Sequence, residues 1–147
     1  MLEIKEIYKP EDFKPELTRE EFIDFLHTHL DQFGDPKDQI GLSIDYAFSK
    51  AEGKGGFLLA GFYDGKLVGG LIMNKTGMSG YIPDNILVYV AVDASLRGKG
   101  IGAQIIEKSF DIAEGEVKLH VEYENPAKRL YERLGMTTKY AEMRLKK

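Results

Sequence analysis

The chain has 147 residues, no cysteine and a formal net charge of −4 at pH 7. Without cysteine it can form neither a disulfide nor a thiolate metal site, and we expect no bound metal. The acidic balance disfavours nucleic-acid binding, and no apolar run approaches the roughly 20 residues that cross a bilayer. The length fits a single domain over residues 1–147, and the N-terminus lacks a signal-peptide pattern, so we expect a cytoplasmic protein.

The charges are unevenly distributed along the chain. Residues 1–50 carry 6 basic and 12 acidic side chains, whereas residues 118–147 carry 8 basic and 4 acidic ones. This asymmetry fits a cationic substrate at one end and an anionic ligand at the other. It equally fits ordinary solvated faces, so the charge alone leaves both interpretations open.

The first third of the sequence predicts a strand followed by two helices. Residues 2–7 have a strand pattern, and Thr18 with Glu21 three positions later forms a capping box that begins a helix ending at Gly34. A second helix is predicted to end near Gly53. Its apolar stripe consists of Ile40, Ile44, Ala47, Phe48 and Ala51.

The middle of the sequence changes to strand patterns. Residues 57–63 and 66–73 are apolar and flank Asp64-Gly65, a pair that favours a type I′ turn, so they predict a hairpin. A polar connection leads to a third strand over residues 86–92.

The last third begins with the turn RGKGIG at residues 97–102. We predict a helix to about residue 114, a strand at 117–123, a short helix at 126–134 and a final strand within 136–145. The order β-α-α-β-β-β-α-β-α-β describes one mixed α/β domain.

The glycine turn has the composition of an anion site, because a helix N-terminus presents free N–H groups and glycine permits close approach. A P-loop is excluded, since no Ser or Thr follows a Gly-Lys pair. Gly98, Gly100 and Ala103 match a dinucleotide fingerprint, and Glu122 follows at a suitable distance. However, the preceding strand ends at Val92, too far before the first glycine for that fold.

Two segments, VYVAVDASLRGKGIGAQIIEKSF and ENPAKRLYERLGM, together resemble the acetyl-CoA-binding core of the GNAT superfamily of N-acetyltransferases. The resemblance implies a mixed, centrally splayed β-sheet flanked by helices on both faces. It also implies that acetyl-CoA is the co-substrate and that a primary amine of a small molecule or peptide is the acceptor.

The resemblance also implies which residues bind the cofactor. The pyrophosphate of coenzyme A would lie on the turn, and the pantetheine arm would pair with the preceding strand. The turn residues are Arg97, Gly98, Lys99, Gly100, Ile101 and Gly102, and the strand residues are Val90, Ala91 and Val92. Asn125 matches an asparagine that contacts the pantetheine arm, but it is one residue closer to Tyr131 than usual, a shift of about 100° on a helix.

Tyr131 matches the general acid of the family, which would protonate the departing thiolate. The alternative is a core tyrosine, because Ala127, Leu130 and Leu134 form a helical stripe with it. For the base we consider His120, which strand alternation places on one face with Glu122. The alternative for His120 is a partly exposed strand histidine.

Other features leave the acceptor open. His27 and His29 lack partners at metal-ligand spacing, so we expect them to be structural or surface residues. Aromatic and acidic residues in the two N-terminal helices suggest a cationic amine with an apolar portion. A different class of function, a non-catalytic acyl-CoA-binding module, is the alternative, and the protein could be a monomer or a homodimer.

Overall fold

Five strands form one sheet in a computed structural model that describes all 147 residues. The strands lie side by side in chain order, with the first four antiparallel and the fifth parallel to the fourth. They are β1 (Glu3–Ile7), β2 (Gly56–Tyr63), β3 (Lys66–Lys75), β4 (Asn85–Val92) and β5 (Val117–Leu119). The helices are α1 (Arg19–Leu30), α2 (Lys37–Phe48), α3 (Ile101–Ile112) and α4 (Ala127–Arg133).

Two local predictions are confirmed at atomic detail. The Thr18 hydroxyl accepts from the Glu21 N–H at 3.2 Å, and the Glu21 carboxylate accepts from the Thr18 N–H at 2.9 Å, so the capping box begins α1. Asp64 and Gly65 both have positive φ, at 49° and 77°, as a type I′ turn between β2 and β3 requires.

Helices cover both faces of the sheet, as predicted. On one face α1 and α2 bury an apolar cluster that includes Phe22, Leu26 and Ile44. On the other face α3 buries Ile105 and Ile106, and α4 packs against the same cluster. No helix is both long and apolar enough to cross a bilayer.

The sheet opens between β4 and β5, which confirms the predicted central splay. The two strands pair only from Asn85 to Leu87 of β4. Val88 is then skipped in the pairing with β3, which resumes at Tyr89. Such a bulge bends its strand and increases the local twist, so β4 diverges from β5 after this point. The second half of β4 is therefore left with one unpaired edge.

Two strand predictions near the C-terminus are wrong: one strand is shorter than predicted, and the other does not form. β5 ends at Leu119 instead of residue 123, because the bend in β4 removes its pairing partner. The segment 136–145 forms no strand. Its apolar residues do not share one strand face, since Tyr140 lies at an odd spacing from Met143 and Leu145, and all three are exposed.

The predicted helices are present, with ends that differ by a few residues. α2 ends at Phe48, before the predicted limit near Gly53, and Ala51 is exposed outside it. α3 begins at Ile101 and ends at Ile112, and α4 is one residue shorter at each end than predicted. Helix ends are the least determined part of a periodic pattern, because the last turn has few backbone bonds.

Asn85 holds the remaining β4–β5 pairing in place, and its removal should destabilise the fold. Its buried side-chain amide donates to the carbonyls of Glu114 and Glu116 at 2.8 and 3.2 Å. We expect Asn85→Ala to lower the free energy of unfolding by about 1–3 kcal/mol, because both carbonyls lose a donor. Urea denaturation would measure this, with the exposed Gln104→Ala in α3 as control. Equal midpoints for the two variants would contradict the assignment.

Candidate functional site

The segment after β4 is shaped by the Asp93 carboxylate. It accepts from the Ser95 N–H at 2.9 Å and from the Ser95 hydroxyl at 2.8 Å, which begins a short 3-10 turn at Ala94–Leu96. Hydrogen bonds from the Ser95 side chain and backbone hold the pKa of the Asp93 carboxyl below its ordinary value. A carboxylate that stays ionised fixes the path of the chain from the strand into the glycine turn.

The glycine turn presents a run of unpaired backbone donors. The amides of residues 97–103 donate no hydrogen bond within the chain, and the first bond of α3 runs from Gln104 N–H to the Gly100 carbonyl at 3.1 Å. Gly98 and Gly100 have φ of 85° and 81°, with no heavy atom within 4 Å of where a Cβ would stand. Free N–H groups in open space at a helix start form a cradle for a phosphate-like anion, which fits the predicted pyrophosphate.

The cationic side chains of the turn differ in their placement. The Arg97 guanidinium donates to the His29 carbonyl at 2.6 Å, so it lies against the end of α1. The Ala94 N–H donates to Nδ1 of His29 at 3.1 Å, a second link to the same residue. Lys99 is exposed and forms no ion pair. Arg97 thus ties the turn to α1, whereas Lys99 has its charge free.

His29 is a residue whose contribution the sequence did not reveal. Its two bonds join segments more than sixty positions apart, at separations of 65 and 68 residues. Its ring also lies 4.5 Å from the Phe25 ring on α1. These contacts agree with the expectation that His29 is a structural or surface residue, but its position beside the glycine turn has no signal in local spacing.

The remaining turn residues anchor α3 to its neighbours. The Ile101 side chain is buried in the core, so its backbone amide is the part that faces the turn. At Gly102 a Cβ would lie 3.4 Å from side-chain carbons of both Leu130 and Val92. Gly102 therefore marks the point where α3, α4 and β4 meet.

The free edge of β4 presents the backbone groups of alternate residues. The Asp93 N–H donates to the Val68 carbonyl of β3 at 2.9 Å, so Asp93 faces β3. Because successive residues of a strand point their backbone groups in opposite directions, Val90 and Val92 face the open side and Ala91 faces β3. Of the three predicted strand residues, Val90 and Val92 have the free groups.

Tyr131 lies on α4 with its ring half-buried against the α3 side of the core, where Val90, Val92 and Leu130 also pack. Burial raises the pKa of Tyr131 from 10.0 to about 12. The phenol therefore keeps its proton throughout the neutral range. The two interpretations of Tyr131, a core tyrosine and a hydroxyl donor, are therefore compatible with each other.

Asn125 and His120 both lie in the segment between β5 and α4, so His120 is outside the strand predicted for it. The Asn125 side-chain oxygen accepts from the Ala127 N–H at 2.9 Å and so helps to begin α4. His120 follows the last residue of β5, is exposed and has no hydrogen-bond partner. Strand alternation therefore does not apply to His120 and Glu122. No group of three or more His, Asp or Glu side chains is placed to hold a metal ion.

The order of these elements agrees with a known family. The family model described as acetyltransferase (GNAT) family matches residues 2–136. The chain belongs to the GNAT family. GNAT enzymes use acetyl-CoA to acetylate amine acceptors. No curated protein sequence matches the chain.

Solved GNAT structures share the fold at low identity. Aminoglycoside N-acetyltransferase AAC(6')-Iy, solved with CoA, has 15% identity and a TM-score of 0.70 over 100% of this chain and 95% of its own. The ribosomal-protein-alanine N-acetyltransferase of Brucella melitensis biovar Abortus 2308 has 18% identity and a TM-score of 0.66, over 99% of each chain. The glucosamine-6-phosphate N-acetyltransferase of Arabidopsis thaliana has 19% identity and a TM-score of 0.61, over 99% of this chain and 98% of its own. These similarities establish the mixed α/β GNAT fold.

The anion cradle can be tested at Gly100. We expect Gly100→Ala to weaken coenzyme A binding at least about tenfold, because an alanine at positive φ costs roughly 1–2 kcal/mol and displaces the free amides. Gly80→Ala is the matched control, since Gly80 has φ of 75° and open space in the loop at the other end of β4. Titration calorimetry would measure both. Equal affinities in the two variants would contradict a cradle at Gly100.

Proposed function

We propose that this protein transfers the acetyl group of acetyl-CoA directly to a primary amine. The observation that carries the proposal is the run of free amides at residues 97–103. These amides begin α3, and Tyr131 packs against the same α3 cluster as Val90 and Val92 of the open β4 edge. A bound thioester would supply an acyl carbon that an amine can attack. The protein would bind acetyl-CoA, orient its thioester and supply a donor to the departing sulfur.

The binding roles follow from which backbone groups are free. The amides of the glycine turn, from Arg97 to Gly102, would hold the pyrophosphate, and Lys99 would add a mobile charge. Val90 and Val92 would pair with the pantetheine amides, whereas the buried Ala91, paired with β3, would hold the strand in place. An N–H at this edge is also a suitable donor to the thioester oxygen as charge develops on it. Asn125 has its amide nitrogen available for the pantetheine arm, since its oxygen is bonded to Ala127.

Tyr131 would act where the sulfur departs. A thiol has an ordinary pKa of about 8.5, well below that of the Tyr131 phenol at about 12. Complete proton transfer from the Tyr131 phenol to the sulfur therefore has an unfavourable free energy. The phenol would first stabilise the thiolate by a hydrogen bond, and the proton that the attacking amine loses balances the reaction. Tyr131 is thus proposed as a donor that is always protonated at neutral pH.

The acceptor amine must lose a proton before it attacks. His120 is exposed and has no hydrogen-bond partner, so its imidazole would be free to take that proton directly or through water. The acceptor itself is proposed to be a cationic small molecule or a peptide amine, in keeping with the acidic N-terminal third of the chain.

Replacing Tyr131 separates catalysis from binding. We expect Tyr131→Phe to lower kcat by roughly 10²-fold or more, because the leaving sulfur loses its donor, with little change in coenzyme A affinity. Thiol release with a chromogenic reagent and calorimetry would measure the two quantities. Tyr140→Phe, at an exposed position, is the control. If the wild-type protein binds acetyl-CoA but acetylates no amine, the alternative of a non-catalytic acyl-CoA-binding module is favoured.

The raised pKa of Tyr131 also predicts a loss of stability at alkaline pH. Between pH 10.0 and about 12 the folded protein keeps a proton on this phenol that the unfolded chain has lost, so the free energy of unfolding falls as pH rises. The pKa of Tyr8 is also raised to about 12, but Tyr8 is exposed, so solvent screening should make its contribution to the slope smaller. Urea denaturation across this range should show a shallower slope in Tyr131→Phe than in the wild type. Parallel slopes would refute the assignment.

A further inference from the structure

The backbone amides that lead from β4 into the glycine turn are paired up to a definite point. Those of residues 93–96 each donate a hydrogen bond, whereas those of residues 97–103 are free. At residues 93, 95 and 96 the acceptor lies on β3 or within the segment itself. The Ala94 N–H instead donates to Nδ1 of His29, a side chain of α1, at 3.1 Å. His29 therefore completes the paired segment directly before the free amides begin.

The bond from Ala94 specifies the protonation state of the His29 ring. A ring nitrogen accepts a hydrogen bond only when it carries no proton, so the proton of the neutral imidazole is on Nε2. A second proton, on Nδ1, would point at the Ala94 N–H, and two donors cannot share one hydrogen bond. The Phe25 ring, 4.5 Å from the imidazole between centroids, supports His29 in its position. The observed contact thus requires a neutral ring.

The backbone of His29 forms a second link to the same segment. Its carbonyl, in the last turn of α1, accepts from the Arg97 guanidinium at 2.6 Å. Carbonyls in a last turn have no partner within their helix, so a cationic donor is favourable there. One residue of α1 therefore fixes residues 94–97 at both ends, through Ala94 and through Arg97.

The charged groups around His29 determine what a second proton on the ring would do. They come from the segment before α1, from α1, from β3, from the segment after β4 and from the turn, and are Glu16, Glu21, Asp24, Lys66, Asp93 and Arg97. The pKa of the Asp93 carboxyl is held low chiefly by its hydrogen bonds from Ser95 and further by the charge of His29. A protonated ring would therefore be attracted to Asp93 and would compete there with Ser95.

We propose that His29 is a positioning residue for coenzyme A: its neutral ring holds residues 94–97 in the path that presents the free amides, and protonation of the ring releases them. The inference rests on the proposed binding of coenzyme A at the glycine turn. A charge on the ring would by itself attract a pyrophosphate, an effect opposite to the loss of the Ala94 bond. We expect the lost bond to dominate, because solvent and the nearby carboxylates screen that charge.

Replacements at His29 test the bond. At about pH 8, His29→Leu should weaken coenzyme A binding by about tenfold, since the Ala94 N–H loses its acceptor. It should raise KM for acetyl-CoA with little change in kcat, because His29 acts through the turn. His29→Asn should keep most of the affinity, since its side-chain oxygen can stand in the place of Nδ1. The matched control is His27→Leu, at an exposed position of the same helix. Equal affinities in His29→Leu and the wild type would overturn the inference.

The pH dependence separates this role from a merely structural one. From about pH 8 to about pH 5.5, across the usual titration range of an imidazole, calorimetry should show wild-type affinity falling about fivefold further than that of His29→Asn. Phosphate groups of the ligand also titrate in this range, but they contribute equally to both proteins. His27→Asn should follow the wild type. A wild-type affinity that parallels that of His29→Asn, or that falls less, refutes the inference.

A measurement without ligand distinguishes failure of this inference from failure of the proposed function. Nitrogen NMR shifts report which ring nitrogen carries the proton, and the His29 signals are identified by their loss in His29→Asn. We expect a bare Nδ1 and a protonated Nε2 at about pH 8, and a proton on Nδ1 would overturn the inference. If the ring has the expected tautomer but the wild type binds no coenzyme A, the proposed function fails. If the wild type and His29→Leu bind coenzyme A equally well, the proposed function stands and the role of His29 does not.

Discussion

The unpaired edge of β4 is the constraint on which the rest of the site depends. A strand in a sheet normally satisfies its backbone groups on both sides, and leaving them free in a buried place is costly. Here the bulge at Val88 bends the strand away from β5 just after the pairing ends at Leu87. The free groups of Val90 and Val92 are then available to a ligand with amides of its own. The same geometry leads the chain into the glycine turn.

The two faces of the sheet beside this edge differ in the polar groups that they leave free. On the α3 side, the free amides of residues 97–103 and the Tyr131 phenol are neutral donors, suited to negative charge on phosphate or on departing sulfur. On the α1 side, the Asp35 carboxylate accepts from the Tyr89 hydroxyl and the His29 carbonyl accepts from Arg97, so these polar groups are paired within the chain.

Local sequence rules predicted the parts of the structure that depend on near neighbours. The capping box at Thr18, the Asp64-Gly65 turn and the strand that leads into the glycine turn all follow from residues a few positions apart. The length of β5 could not be predicted in this way, since it depends on a bulge in another strand. The contacts of His29 with Ala94 and Arg97 span more than sixty positions and have no local signature. Segment 136–145 illustrates the same limit, because apolar residues in a predicted strand form one only beside a partner strand.

Backbone and side-chain recognition also differ in how far they constrain sequence. Amides in a glycine turn can bind an anion whatever most of the surrounding side chains are, so this kind of site constrains the sequence little beyond its glycines. A site made of one or two side chains is lost with a single substitution. Donor binding can therefore persist while acceptor choice changes. For this chain, the identity of the acceptor must therefore be derived from its own residues.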